Sequence, residues 1–551
     1  MEVAGWRLSR RDVFVRGANL GLALTGLSFV GCGPQPVPVP GAGPAKTDPA
    51  APKKGGILTL TLFQDPPHFD IQQESTILIQ APIGAVYSQL IAADPMSDSK
   101  IVGDLAESWE VAPDGRTYTF KIRQGVKFHD NTPLTSDDIR WNLERLTNPP
   151  QNFLSPRKAL MSNVAAIEAP DATTLRISLK KTQASFLQVL ANGFNVIYPR
   201  AVVEAKGDMK KTAVGSGPFR LKAYTPGVSL ELERNPDYYL AGQPYLDGIQ
   251  WFLIKDTQGV TSSIKTGRIH LGLATMHNVG PKEGAALKQE VSGLTYSYWG
   301  HTILTALNFN LNKAPWNDKR VRAAFHLAIE RKALIQAVEG GEGGKIGTFL
   351  PPGPFGLTED EAGKLPGLRA SKDEDLAEAR RLLAEADFPN GLKLTIPLRN
   401  VDYQIDPMTL IKDQLSKVGI DATLQPMESG AHKQLLFSGN FDVVFHMDAL
   451  TMVDPDIGFR ELFGTKSGKN YGGYSNPAVD ALLEQQAVEP SVEQRKKLVR
   501  EMDQIALADM PRVPIYWKAF STIVSPQVRN WSPDLNGVFV SPLKWAQVSL
   551  G

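Results

Sequence analysis

"SWEVAPDGRTYTFKIRQGVKF", Ser108–Phe128, reads as a β-hairpin. Trp109 and Val111 alternate on one arm and Tyr118, Phe120 and Ile122 on the other, with Asp114-Gly115 as turn residues between them. A second hairpin is read at "IEAPDATTLRISLK", Ile167–Lys180, where Asp171 takes the turn and Leu175, Ile177 and Leu179 stay in phase. Between the two, "LTSDDIRWNLERL" starts with Thr135 or Ser136 as a cap and repeats Ile139, Leu143 and Leu146 at helical spacing. Two hairpins around a helix make this region mixed α+β.

Outward from it, "KKGGILTLTL" alternates as a strand. Asp318 caps a single long helix over "KRVRAAFHLAIERKALIQAV", with Val321, Phe325, Ala328 and Ile329 on one stripe and Gly340-Gly341 as the stop. Then comes a β-α-β pattern: strand "LKLTIPLR", helix "PMTLIKDQLSKV" ended by Gly419, strand "IDATLQPM", and a further strand "FDVVFHM". Right-handed crossovers make this a parallel sheet flanked by helices, an α/β lobe whose ligands sit at the carboxyl ends of its strands. "EQRKKLVREMDQIALAD" is an amphipathic surface helix, with Leu498, Met502 and Ile505 on its inner face.

The chain of 551 residues exceeds what one hydrophobic core serves, so two or three lobes are expected. Hydrophobic residues at 42% and charged residues at 21% provide enough apolar material for globular cores. A net charge of +1 gives no basic footprint for nucleic acid, which is excluded as a partner class. The single cysteine, Cys32, forms neither an internal disulfide nor a thiolate metal site.

The first residues have a layout of their own. Arg7, Arg10, Arg11 and Arg16 precede an apolar run from Gly17 to Gly31, the pattern of an export signal. That run of about 15 residues reaches about 22 Å, short of the ~30 Å bilayer core, so a permanent spanning helix is not expected. "SRRDVF" resembles a twin-arginine signal. Phe29-Val30-Gly31-Cys32 resembles a lipobox, so residues 1–32 are read as a signal peptide and Cys32 as a lipid attachment site. The competing reading is an ordinary secretory signal with an incidental thiol. Residues 33–54, rich in proline and glycine, form a tether of about 60 Å.

"LAESWEVAPDGRTYTFKIRQGVKFHDNTPLTSDDIRWNLER", "VGSGPFRLKAYTPGVSLELERNPDYY", "NFNLNKAPWNDKRVRAAFHLAIERKAL" and "YSNPAVDALLEQQAVEPSVEQRKKLVREMDQIALADMPRVPIYW" resemble, in this order, the family 5 extracellular solute-binding proteins. The likeness runs from about Gly55 to Trp545. It implies a two-lobed periplasmic binding protein-like type II fold with a hinge and an interlobe ligand cleft. Lobe I is built from 55–75, 206–300 and 515–551, a small α+β subdomain from 76–205, and lobe II from 301–514. The implied role is capture of a peptide or other small organic solute outside the cytoplasmic membrane and delivery to the permease of an ABC importer, by a monomer anchored through lipid. A tethered ligand sensor or envelope chaperone of the same shape is the alternative.

The resemblance also nominates ligand residues. Glu74, Ser75 and Thr76 follow "PHFDIQQ", a connection that lines the cleft in relatives. Trp299 and His301, in "YSYWGHTIL", fall at the hinge, where a Trp face stacks on a sugar or clamps an apolar group. Matching Asp454-Pro455 to the family's acidic-proline pair puts Thr451 where peptide-binding relatives hold an amine with aspartate, and Asp448 becomes the substitute acid. Leu436 and Phe445 stand where basic residues often receive a peptide's carboxylate. A conventional free-ended peptide is therefore not expected, and the ligand is left open between a modified peptide, a sugar, a nickel complex and another organic solute.

No enzyme is expected, since G-x-S-x-G and H-E-x-x-H are absent and "EGGEGGKIG" departs from a phosphate-binding loop at Glu339 and Ile346. His68 with Asp70, and His446 with Asp448, read as structural polar pairs. No cofactor and no metal site is expected.

Overall fold

In the computed structural model of the protein, Trp109 lies opposite Phe120 and Val111 opposite Tyr118, as the hairpin requires. Asp114 Oδ1 accepts the backbone N–H groups of Arg116 and Thr117 at 2.9 and 3.3 Å, and Gly115 adopts φ +66°, a value that favours glycine. The structure describes residues 52–74, 76–94, 100–151, 153–272, 279–450, 452–531 and 542–551. The leader, Cys32, the tether as far as residue 51, Ser75 and Thr451 lie outside these.

The subdomain sheet runs Ala106–Val111, Thr117–Ile122, Thr174–Leu179, Val164–Asp171, all antiparallel. Tyr118, Phe120, Ile122, Leu175 and Ile177 form one core with Ile139, Leu143 and Leu146 of the helix Ser136–Thr147. The Asp138 carboxylate accepts the Thr135 backbone N–H at 2.9 Å and fixes the helix start. The first hairpin arm departs from expectation, because Val111 is 45% exposed. It is the edge strand, and the helix lies over the Val164–Asp171 and Thr174–Leu179 strands instead.

Lobe I is cored by Leu58, Leu60 and Leu62 of the strand Ile57–Leu62 with Phe219, Leu230 and Trp251. That strand pairs in parallel with Gly248–Leu253, Ile57 opposite Gly248. Lobe II has a larger core of its own, containing Leu304, Phe325, Ile396, Met408, Phe445, Met502 and Trp517. Each fully buried Leu or Phe adds about 1.5–3 kcal/mol, so each half has its own source of stability.

The β-α-β reading holds for two strands. Leu392–Arg399 and Ile420–Met427 pair in parallel, joined by the helix Asp402–Ser416. The third strand, Val443–Ala449, instead belongs to a different sheet, where it pairs antiparallel with the long strand Thr295–Phe309. The single helix expected after Asp318 is two helices, Lys319–Ala328 and Arg331–Glu339. Arg331 causes the break: its buried guanidinium donates to the carbonyls of His326 and Ile329, at 3.0 and 3.1 Å, and to Pro514 at 2.6 Å. Carbonyls left open at a helix end need such donors, and here one arginine serves them while tying the break to a distant strand. The helix Val492–Asp509 buries Val499, Met502 and Ala506, with Leu498 and Ile505 packed beside them.

Candidate functional site

Two strands pass through both halves. Thr295–Phe309 starts with Trp299 in the lobe I core and ends with Leu304 and Leu307 in the lobe II core; Arg512–Val524 returns, with Val513 and Trp517 in lobe II and Val524 in lobe I. They pair antiparallel, but the register slips between the Trp299–Phe520 and Ile303–Lys518 pairs. Gly300, His301 and Thr302 therefore bulge out of the ladder, with Gly300 at φ +56°. This bulge lies between the two cores, where a hinge belongs.

The glycine-rich loop braces it. Gly344 and Lys345 pair with Lys518 and Trp517, and Ala519 donates its N–H to the Gly343 carbonyl at 2.9 Å. Glu339, 3% exposed, accepts the Tyr516 hydroxyl at 2.9 Å and forms an ion pair with Lys518. "EGGEGGKIG" is thus a hinge support, and its glycines allow close approach to the strand: a Cβ on Gly347 would stand 2.7 Å from the Trp517 ring.

His301 sits on the bulge, its Nε2 3.0 Å from the Glu342 carbonyl. Burial lowers its pKa, so the ring is neutral at pH 7 with Nε2 as donor. Trp299 is 3% exposed, stacks on Phe520 at 4.9 Å and donates its indole N–H to Thr522 Oγ1 at 2.9 Å. One ring face is covered by the protein itself.

The strand Val443–Ala449 runs back toward the bulge, with Ala449 opposite Ile303. Asp448 is 2% exposed. Its Oδ2 lies 3.1 Å from Arg512 Nη1, and its Oδ1 accepts the Tyr471 hydroxyl at 3.2 Å. Arg512 also donates to the carbonyls of Leu462 and Lys469. Burial and the Asp448 charge hold the Tyr471 phenol well above its usual range. The charge nominated to replace the missing aspartate is already compensated internally. Asp454 of the acidic-proline pair is likewise buried, held by both terminal nitrogens of Arg495.

Thr76 Oγ1 accepts the Leu78 N–H at 3.3 Å and starts the helix Ile77–Ile83. The Glu74 carboxylate lies 3.4 Å from His68 Nε2, and its backbone carbonyl accepts from Arg157. The predicted residues therefore fall into three groups: Glu74 and Thr76 on one connection, Trp299 and His301 on the hinge, and Asp448 in a buried ion pair. Arg157, Arg512 and Glu339 were not nominated. "EGGEGGKIG" drew notice through its glycines, whereas the two arginines sit in stretches with no motif.

The subdomain also touches lobe II. Ala184 donates its N–H to the Ala487 carbonyl at 2.7 Å, Ser185 Oγ donates to Asp456 Oδ2 at 2.7 Å, and Ile457 joins the subdomain core. No group of three His, Cys, Asp or Glu able to hold a metal is present among the described residues, and no helix among them is long and apolar enough to cross a membrane.

Residues 100–470 match the family model of bacterial extracellular solute-binding proteins, family 5 (middle). The chain belongs to this family. As a family 5 protein it is an extracytoplasmic binding component rather than an enzyme, and it serves an ABC import system by delivering its solute to a permease. The glutathione-binding protein GsiB of Escherichia coli strain K12 is 26% identical over 478 residues, covering 84% of this chain and 88% of that protein. CtaP, an ABC transporter substrate-binding protein from Listeria monocytogenes, superposes with a TM-score of 0.76 at 24% identity, over 90% of this chain and 100% of that one. AgaA of A. tumefaciens R10, solved with agropinic acid, gives 0.73 at 24% identity over 90% and 99% of the two chains. DppA from Helicobacter pylori, in complex with peptide STSA, gives 0.74 at 22% identity over 90% and 98%. These likenesses establish the two-lobed binding-protein fold for this family 5 member.

Proposed function

We propose that this family 5 protein is a monomeric, lipid-tethered receptor for a peptide or other small organic solute. Residues 1–32 serve as the leader, Cys32 as the lipid attachment point and 33–54 as the leash. Lobe I comprises 55–75, 206–300 and 515–551, the subdomain 76–205 and lobe II 301–514, with Ile515, Tyr516 and Trp517 at the start of the last lobe I segment still packed in the lobe II core. The observation that carries the reading is the hinge: two separately cored halves joined through a bulge at Gly300–Thr302. Such halves rotate without disturbing either core, and a solute touching both favours the closed form by its differential affinity. Glu74, Ser75, Thr76 and Thr451 are the positions proposed to line the cleft. Trp299, His301 and Asp448 are proposed to line it too, from side chains that Thr522, the Glu342 carbonyl and Arg512 hold in place.

Glutathione, the STSA tetrapeptide and agropinic acid are the solutes to try first, together with any molecule extracted from the purified protein and identified by mass spectrometry. Small-angle scattering should show a smaller radius of gyration with a bound solute than without. An unchanged radius with every one of them would refute capture by closure. Cys32→Ser should move the protein from the membrane to the soluble fraction; continued retention would remove the lipid anchor.

A further inference from the structure

Two buried arginines of the subdomain reach the connection that leaves lobe I, and only one is matched by an acid. Arg145, 7% exposed, lies 3.5 Å from Asp70 Oδ2 and donates to the Gln72 side chain. Arg157, 4% exposed, donates through Nη2 to the backbone carbonyl of Glu74, and its guanidinium lies 4.6 Å from the centre of the Phe194 ring. Its Nε has no hydrogen-bond partner, and no carboxylate oxygen comes within 4.0 Å of its nitrogens among the described residues. The Glu74 carboxylate is turned to His68 instead. Burial pushes the Arg157 guanidinium down to about 10, still a cation at neutral pH. A buried cation with no anion in contact is costly, and the Glu74 charge acts on it only from beyond ion-pair distance, so proteins retain such a cation where something else supplies the anion.

The placement is informative too. Leu160, three residues on, lines a cavity of about 430 Å³ together with Ile457 and Arg460 of lobe II, so this loop lies where the subdomain meets lobe II. Of the lobe II positions nominated for a carboxylate, Leu436 and Phe445 are buried in hydrophobic clusters and present nothing to a solute, and Arg512 is committed to Asp448.

We propose that Arg157 receives a carboxylate of the bound solute, which makes the ligand an organic acid held against the Glu74–Thr76 connection. This rests on the capture reading above and names its ligand class. A guanidinium meets a carboxylate through charge-assisted hydrogen bonds, stronger than neutral ones, and Arg157 has an Nε–H free to give.

The test is calorimetric titration of the full chain with glutathione and with the STSA tetrapeptide, each as free acid and as C-terminal amide. The wild type should favour an acid over its amide by about 10- to 100-fold, the value of one hydrogen-bonded charge pair. Arg157→Met should abolish that preference by weakening the acid about 10- to 100-fold more than the amide, and Arg157→Lys should keep much of it. A merely structural arginine predicts equal losses for acid and amide. Equal wild-type affinity for both, or a preference that survives Arg157→Met, overturns the inference and leaves solute capture standing. If neither probe binds, the molecules extracted from the wild type decide: an acidic set that Arg157→Met no longer retains supports it, and a neutral or cationic set overturns it. A protein that holds no solute of any kind overturns both.

Discussion

Arg512→Ala is expected to lower the free energy of unfolding by about 3–5 kcal/mol, the cost of leaving a buried charge without its partner. Arg512 is 3% exposed and Asp448 2%, their contact is 3.1 Å, and the arginine also serves two backbone carbonyls. Asp448→Ala should cost a similar amount, and the double substitution less than the sum, because neither charge is then left alone. Urea unfolding monitored by circular dichroism measures all three. Losses below about 1 kcal/mol for both single variants would mean that the pair does not hold lobe II together. Asp448→Asn tests the role of Asp448: a structural anion replaced so changes stability first, whereas a ligand-holding acid would change affinity and leave stability alone.

Ile457→Ala is expected to move the open–closed equilibrium toward open by roughly 30- to 1,000-fold, since deleting a buried isoleucine costs about 2–4 kcal/mol and here the loss falls on the docked state. Ile457 belongs to lobe II by sequence yet is buried in the subdomain core, next to the Ser185–Asp456 bond. Parting of the subdomain from lobe II would strip Ile457 of that packing. The Lys181–Glu484 pair at the same contact is solvent-exposed, so Lys181→Ala should shift the equilibrium by less than about 1 kcal/mol. Spin labels at Glu168→Cys and Lys412→Cys in a Cys32→Ser chain would report the distance distribution. An Ile457→Ala distribution identical to that of the parent would dismiss the contact as a latch.

Much of the local structure was legible from pattern. The two hairpins follow from alternation and from Asp114 and Asp171 at their turns, and the Ser136–Thr147 helix from its cap and apolar spacing. The edge position of Val111 was not, because alternation says which residues share a face but not which strand lies under the helix. The break after Ala328 was hidden for a related reason: the residues there are helical by habit, and what ends the helix is Arg331 reaching Pro514, 183 positions away. Of the candidate site, the connection at Glu74–Thr76 and the hinge at Trp299–His301 were named by their motifs, but the state of each charge was not.

By itself the sequence determined which segments are strands and helices, that more than one core exists, and to which family the chain belongs, because periodicity, turn chemistry and ordered motifs are local or linear properties. Only the tertiary structure decided which charges are matched. Asp448 meets Arg512 across 64 positions, while Arg157 approaches Glu74 across 83 and finds a carbonyl rather than a carboxylate. Whether a buried ion is compensated depends on distances of a few ångströms set by packing, since Coulomb attraction and hydrogen bonding fall away within that range, and no pattern along the chain encodes them.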